Sequence, residues 1–206
     1  VFVFAVSQTG LTCTHKLDTE FCGMGLATSP DSSLLAVSSD LGELFLYDMR
    51  KDFTLLSSTK CCEGAIKHWC RCSFAPAPTE RGRRLLAIGS SNDRTACVMD
   101  VTDPTLPTKH MTLQGIAQFM SLVYSPDGTM IAAAHRDGSV ALYDSETGAK
   151  LHSVDSAHET CAMYVAFVGE EQMMSCGWDT TLVSYAPVLK KAQYVHGYVL
   201  DNPDGV

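Results

Sequence analysis

At 206 residues the chain can bury a sizeable core, and one or two domains fit its length. A net charge of −8 argues against a basic groove for nucleic acid, and no apolar run approaches the ~20 residues of a membrane-spanning helix. Nine cysteines, an odd number lying mostly in expected strands, suit buried free thiols in a reducing compartment better than a disulfide framework, so an intracellular site, cytoplasmic or nuclear, is expected.

The sequence opens on Val1 with no visible signal peptide. Residues 1–6 read as a strand, Ser7-Gln8-Thr9-Gly10 as its turn, and residues 11–17 as a second strand. Four sets of four strands follow. The first is expected at 24–28, 34–38, 43–47 and 53–58, and the second at 69–74, 84–89, 95–99 and 108–113. The third is expected at 120–124, 130–134, 139–143 and 150–154, and the fourth at 163–167, 172–176, 181–185 and 191–196. The tail, 197–206, reads as loop. Small residues crowd the second strands of the first three sets, at Ala36, Ala87 and Ala132 to Ala134, as close face-to-face packing of neighbouring sheets requires.

The sets repeat. The residue that closes each third strand is Phe4, Tyr47, Met99, Tyr143 or Tyr185, spaced roughly 42 to 52 residues apart. The turns after the first strands, Ser29-Pro30-Asp31, Ala75-Pro76, Ser125-Pro126-Asp127 and Val168-Gly169-Glu170, keep the same step. An insertion around residues 76–84 accounts for the long steps in both series. This pattern resembles the WD-repeat family of β-propellers, which carry four strands per blade, a Gly-His near the start and a Trp-Asp at the end of the third strand. Here Trp-Asp has become Tyr47-Asp48, Tyr143-Asp144 and Met99-Asp100, and Gly-His survives as Ala157-His158. The fold expected is all-β: a β-propeller of four-stranded antiparallel blades, four whole and one half, within a larger ring of about seven. The segments are 1–18 (half blade), 22–58, 66–114, 119–156, 161–196 and the tail. The missing blades come from the rest of a longer chain or from a partner. An antiparallel sandwich is the alternative fold, but it has no reason to keep a fixed period.

The resemblance implies a structural hydrogen-bond network, for which the fourth blade offers His158, Ser175, Asp179 and Tyr185. Asp93 and Asp137 match Asp179, and Leu41 stands there in the first blade. Ser-His-Asp catalysis is the competing reading. It needs a nucleophile on an exposed turn, whereas Ser175 is mid-strand without a Gly-x-Ser-x-Gly around it. The resemblance also implies a docking face carrying the turns between second and third strands, with Asp40, Asn92, Arg136 and Trp178 at its rim. Trp and Arg there suit an interaction hot spot; alternatively Trp178 packs between blades.

Three further clusters have two readings each. Cys61, Cys62, Cys70 and Cys72, with His68 among them, suggest zinc, but one-residue and zero-residue spacings chelate poorly and buried thiols fit better. Arg81, Arg83 and Arg84 make residues 76–84 either an anion-docking loop or a solvated insertion. Tyr47-Asp48-Met49-Arg50 resembles the Trp-Asp-x-Arg box of WD-repeat substrate receptors for cullin-4 ubiquitin ligases, with Tyr for Trp. The expected function is a non-catalytic interaction scaffold within a multiprotein complex, without cofactor or metal, without nucleic acid and without membrane insertion. The substrate receptor is the first alternative and a propeller-based hydrolase the second.

Overall fold

The computed structural model describes residues 1–61, 71–89, 94–169 and 172–186, with the backbone of the strand Val195–Leu200. Its regular structure is β throughout. A two-stranded unit, β1 (Phe2–Ser7) and β2 (Gly10–Lys16), comes first. Four antiparallel sheets follow, each with its strands in chain order. The first blade is β3 (Gly23–Thr28), β4 (Leu34–Ser39), β5 (Glu43–Asp48) and β6 (Thr54–Lys60). The second is β7 (Cys72–Phe74), β8 (Leu85–Gly89), β9 (Thr95–Asp100) and β10 (Thr108–Gln114). The third is β11 (Phe119–Tyr124), β12 (Met130–His135), β13 (Val140–Asp144) and β14 (Lys150–Val154). The fourth is β15 (Ala162–Val168), β16 (Gln172–Gly177), β17 (Leu182–Ala186) and β18 (Val195–Leu200).

The blades pack in sequence, the first strand of each lying on the first two of the blade before: β7 on β3 and β4, β11 on β7 and β8, β15 on β11 and β12. Ala36, Ala87, Ala132, Ala133 and Ala134 are fully buried at these contacts. One apolar cluster runs through the first three blades, and a second joins the third to the fourth. The Arg71 guanidinium, just before β7, lies 4.4 Å from the ring centre of Tyr164 on β15. First strands of non-adjacent blades therefore approach one another.

Several strand limits differ from the sequence expectation, each for a local reason. Ser139 and Thr181 stand before their strands, because each donates its hydroxyl and amide to the turn carboxylate two residues earlier, Asp137 or Asp179. Phe53 belongs to the turn before β6; it and Asp52 have positive φ angles of 53° and 54°. β18 carries the chain as strand from Val195 to Leu200, where the tail was expected to be loop from residue 197 and the last strand to end at 196. Its pairing with β17 fixes this register, Val183 opposite Val199. Trp69 and residues 191–194, also expected in strands, lie outside the described residues.

The thiols divide. Cys61, Cys72, Cys97 and Cys161 are buried and Cys176 is half-buried, whereas Cys13 and Cys22 are exposed, Cys13 on a hairpin strand that no sheet covers. Cys61 donates to the Gly42 carbonyl at 3.2 Å, and burial pushes the Cys72 thiol up to about 12, so it stays protonated. Cys62, His68 and Cys70 lie outside the described residues.

Candidate functional site

The fourth blade assembles its polar residues from four places along the chain. His158 comes from the loop before β15, Ser175 from the middle of β16, Asp179 from the β16–β17 turn and Tyr185 from β17. The His158 side chain is fully buried. Its Nε2 lies 2.7 Å from Ser175 Oγ, which in turn lies 2.8 Å from the Tyr185 hydroxyl. Its Nδ1 lies 3.0 Å from Asp179 Oδ1 and 2.9 Å from Thr181 Oγ1. Burial alone would raise the Asp179 pKa, but bonds from the Thr181 hydroxyl and amide, His158 and the Glu159 amide hold it at about 2. Ser175 is only 1% exposed. The chain of bonds satisfies polar groups shut between strands and ties the entry loop to the next turn.

A glycine makes room for it. A Cβ on Gly177 would stand 2.7 Å from His158 Nδ1 and 2.8 Å from Asp179 Oδ1. Gly138 at the neighbouring turn has a φ of +86°, and a Cβ there would stand 2.2 Å from the His158 carbonyl oxygen. The loop bearing His158 thus lies directly on the third blade, where the His158 amide donates to the Gly138 carbonyl at 3.0 Å.

The turns between second and third strands share one edge of the blades. The amides of Asp40, Arg136 and Trp178 donate to the carbonyls of Cys22, Gln118 and Cys161, at 2.9, 2.9 and 3.0 Å. These three positions are structurally equivalent in the first, third and fourth blades; Asn92 lies outside the described residues. Asp40 Oδ1 also accepts the Cys22 amide, and Arg136 Nη1 donates to Gln118 Oε1. Trp178 is 70% exposed, so it does not pack between blades.

A family model described as the anaphase-promoting complex subunit 4 WD40 domain matches residues 111–180, the stretch that holds the third blade and most of this network. Over 80 residues the chain is 29% identical to DDB1- and CUL4-associated factor 10 of Xenopus laevis, covering 38% of this chain and 18% of that protein. Over 62 residues it is 31% identical to the Homo sapiens protein of that name, covering 30% and 11%. The matches therefore span less than a fifth of these relatives. Among solved structures, a WD40 propeller chain in the crystal structure of the mitotic checkpoint complex superposes with a TM-score of 0.70 at 18% identity, over 86% of this chain and 51% of that one.

The chain has a β-propeller fold of the WD-repeat kind.

The opposite edge of this propeller fold carries the turns after the first and third strands. Tyr47 is buried, and Asp48 Oδ1 accepts the Arg50 amide at 2.9 Å. Arg50 itself is 65% exposed and donates from Nη2 to the Asp31 carbonyl at 2.9 Å. Arg84 reaches the same residue through the Asp31 carboxylate. Arg83 bonds His110 and lies 3.8 Å from Asp100, so the three arginines of the inserted loop do not form one basic patch.

Sequence reasoning missed two features. His135, at the end of β12, is fully buried against the rings of Phe119 and Tyr143. Asp31 is the acceptor on which two arginines converge. For His135 a signal was present: it stands one residue before Arg136, where the fourth blade has Gly177 before Trp178.

Proposed function

We propose that the chain is a non-catalytic protein-interaction module that docks partners on the face carrying Arg136 and Trp178. Trp178 carries this reading: a large aromatic ring, 70% exposed, on a turn whose backbone is tied to the adjoining segment. Asp40 and Arg136 occupy the same place in their blades. Rigidly held Trp and Arg are the residues that dominate interface energetics. The non-catalytic part rests on Ser175, whose oxygen is sealed and already bonded to both His158 and Tyr185. Partners are proteins rather than nucleic acid, in keeping with the charge of −8. Among the described residues no helix is long and apolar enough to cross a membrane. The burial of Cys61, Cys72, Cys97 and Cys161 supports residence inside the cell. Further blades complete the ring, a reading supported by the half blade's exposed Phe2, Phe4, Val6 and Leu11. The test is quantitative partner recovery from cells expressing wild-type chain or the Trp178→Ala, Arg136→Ala pair. Recovery reduced at least tenfold, with unchanged circular dichroism, is expected; unchanged recovery removes the face assignment.

A second reading draws on the relatives whose names include DDB1 and CUL4. In it, Tyr47-Asp48-Met49-Arg50 contacts the ligase adaptor from the opposite edge, leaving the Trp178 face for substrate. Arg50 is outward-facing and steadied by Asp31, as an adaptor contact requires. Purified DDB1 should co-elute with the wild-type chain and bind Arg50→Ala at least tenfold more weakly. Equal binding, or none to wild type, ends this reading.

A further inference from the structure

Beside Arg50, at the seam of the first and second blades, lies a recess of about 100 Å³. Its floor is the buried pair Ser29 and Leu85, and its walls are Phe74, Pro76 and Pro78. The exposed Pro30 and Ala77 form its mouth. Prolines build such a wall well, because they have no backbone N–H to leave unsatisfied and fixed φ angles that lose little freedom on binding. A 150 Å³ apolar cavity holds benzene. This one suits a group somewhat smaller, about one branched aliphatic side chain.

The rim is charged, and the charges do not cancel. Arg84 Nη2 is bonded to Asp31 Oδ2, and Arg50 Nη2 lies 3.8 Å from the same oxygen. Lys51 lies 3.8 Å from Asp48. That pair lies outside the recess, at whose edge two cations, Arg84 and Arg50, converge on one carboxylate, Asp31. The next acids along, Asp52 and Asp100, are turned to His15 and Arg83. Hydrogen bonds from Ser29 above all, then from Ser33 and Arg84, outweigh burial and hold the Asp31 carboxyl well below the usual range, so it remains ionised and keeps both arginines in place. One unmatched positive charge therefore stands next to an apolar hole, on a chain whose net charge is −8. The Arg50 guanidinium gives one N–H to the Asp31 carbonyl and offers the rest of its fork to solvent.

We propose that this recess docks a peptide segment of a protein partner that presents one aliphatic side chain of about leucine's size and, within a few residues, a carboxylate. The aliphatic group fills the space between Phe74, Pro76 and Pro78, and the carboxylate pairs with Arg50. The proposal rests on the chain being an interaction module but not on which protein it serves.

The experiment is an array of immobilised nonapeptides in which Leu is followed at one to four residues by Glu, with Glu→Lys and Leu→Ser counterparts, probed with the full chain. Retention of one or more Leu–Glu spacings at least tenfold above both counterparts is expected. Ala77→Trp, which closes the mouth from an exposed loop position, and Arg50→Glu, which reverses the rim charge, should each reduce that retention at least tenfold. Retention should also fall as salt rises. No retention of any Leu–Glu peptide, equal retention of the Lys counterparts, or retention that survives both Ala77→Trp and Arg50→Glu overturns the proposal. Peptide discrimination without DDB1 binding overturns the adaptor reading alone. Partner recovery unaffected by Trp178 and Arg136 removes the other face alone.

Discussion

The third and fourth blades fill the same interior space with a histidine, but from opposite directions. In the fourth, His158 enters from the loop before the first strand, and Gly177 at the end of the second strand leaves it room. In the third, the matching places are exchanged: Gly115 stands in the loop and His135 at the end of β12. A Cβ on Gly115 would come within 2.6 Å of the Phe119 ring, which itself packs against His135 at 4.8 Å between ring centres. The chemistry diverges with the direction. His158 is held on both ring nitrogens, whereas the buried His135 ring has at most a poorly aligned approach to the Ser139 backbone and an Nε2 that lies a long 3.4 Å from the Tyr143 hydroxyl. Burial chiefly, against the pull of Asp137, lowers the His135 pKa to about 4. In both blades the slot thus admits a histidine, as a polar bridge in one and a neutral aromatic plug in the other, where the opposite entrance carries glycine.

Three predictions test that contrast. Gly177→Ala should be the most damaging, since its methyl group would collide with both His158 and Asp179. A loss of about 2–4 kcal/mol in denaturant unfolding is expected from overpacking and the broken network. A loss under ~1 kcal/mol would mean that the entrance is not exclusive.

Acid should separate the two blades. His135 has a folded pKa of about 4, below the ordinary 6.5. Its contribution is therefore complete above pH 6.5, declines as the pH falls, and is gone below about 4, a change on the order of 3 kcal/mol. Asp179, held at about 2, keeps its contribution above 3.8 and loses it only as the pH falls towards 2. Unfolding measured between pH 7 and 4 should flatten in His135→Leu, which also removes a poorly satisfied buried nitrogen and should cost little at pH 7. A slope unchanged by this substitution would show that His135 is not the sensor.

The smallest effect on stability belongs to Trp178→Ala, within ~0.5 kcal/mol, because the ring is 70% exposed. A larger loss would show that the ring supports the fold rather than a partner.

Much of the fold was legible. Alternation, turn residues and the repeat step locate the strands of every blade to within a few residues over the described stretches, apart from β18. Two of the misplaced ends share a cause: Ser139 and Thr181 look like strand residues by composition but are captured by the carboxylate two positions back. The site was half legible. Residues 158, 175, 179 and 185 could be picked out because a repeat assigns each a place, and the structure brings them within hydrogen-bond reach. His135 was passed over because its role depends on Gly115, twenty residues away, having vacated the loop.

The sequence by itself determined the four-stranded unit, its multiplication and the edge on which each turn emerges. These depend on period-two patterning and on turn chemistry, both local. Only the tertiary structure decided which histidine fills which slot, that Trp178 faces outward, and that Arg50, Asp31 and Arg84 meet beside a proline-walled recess. Those outcomes belong to contacts between segments from 17 to 53 residues apart along the chain, whose distances no local pattern encodes.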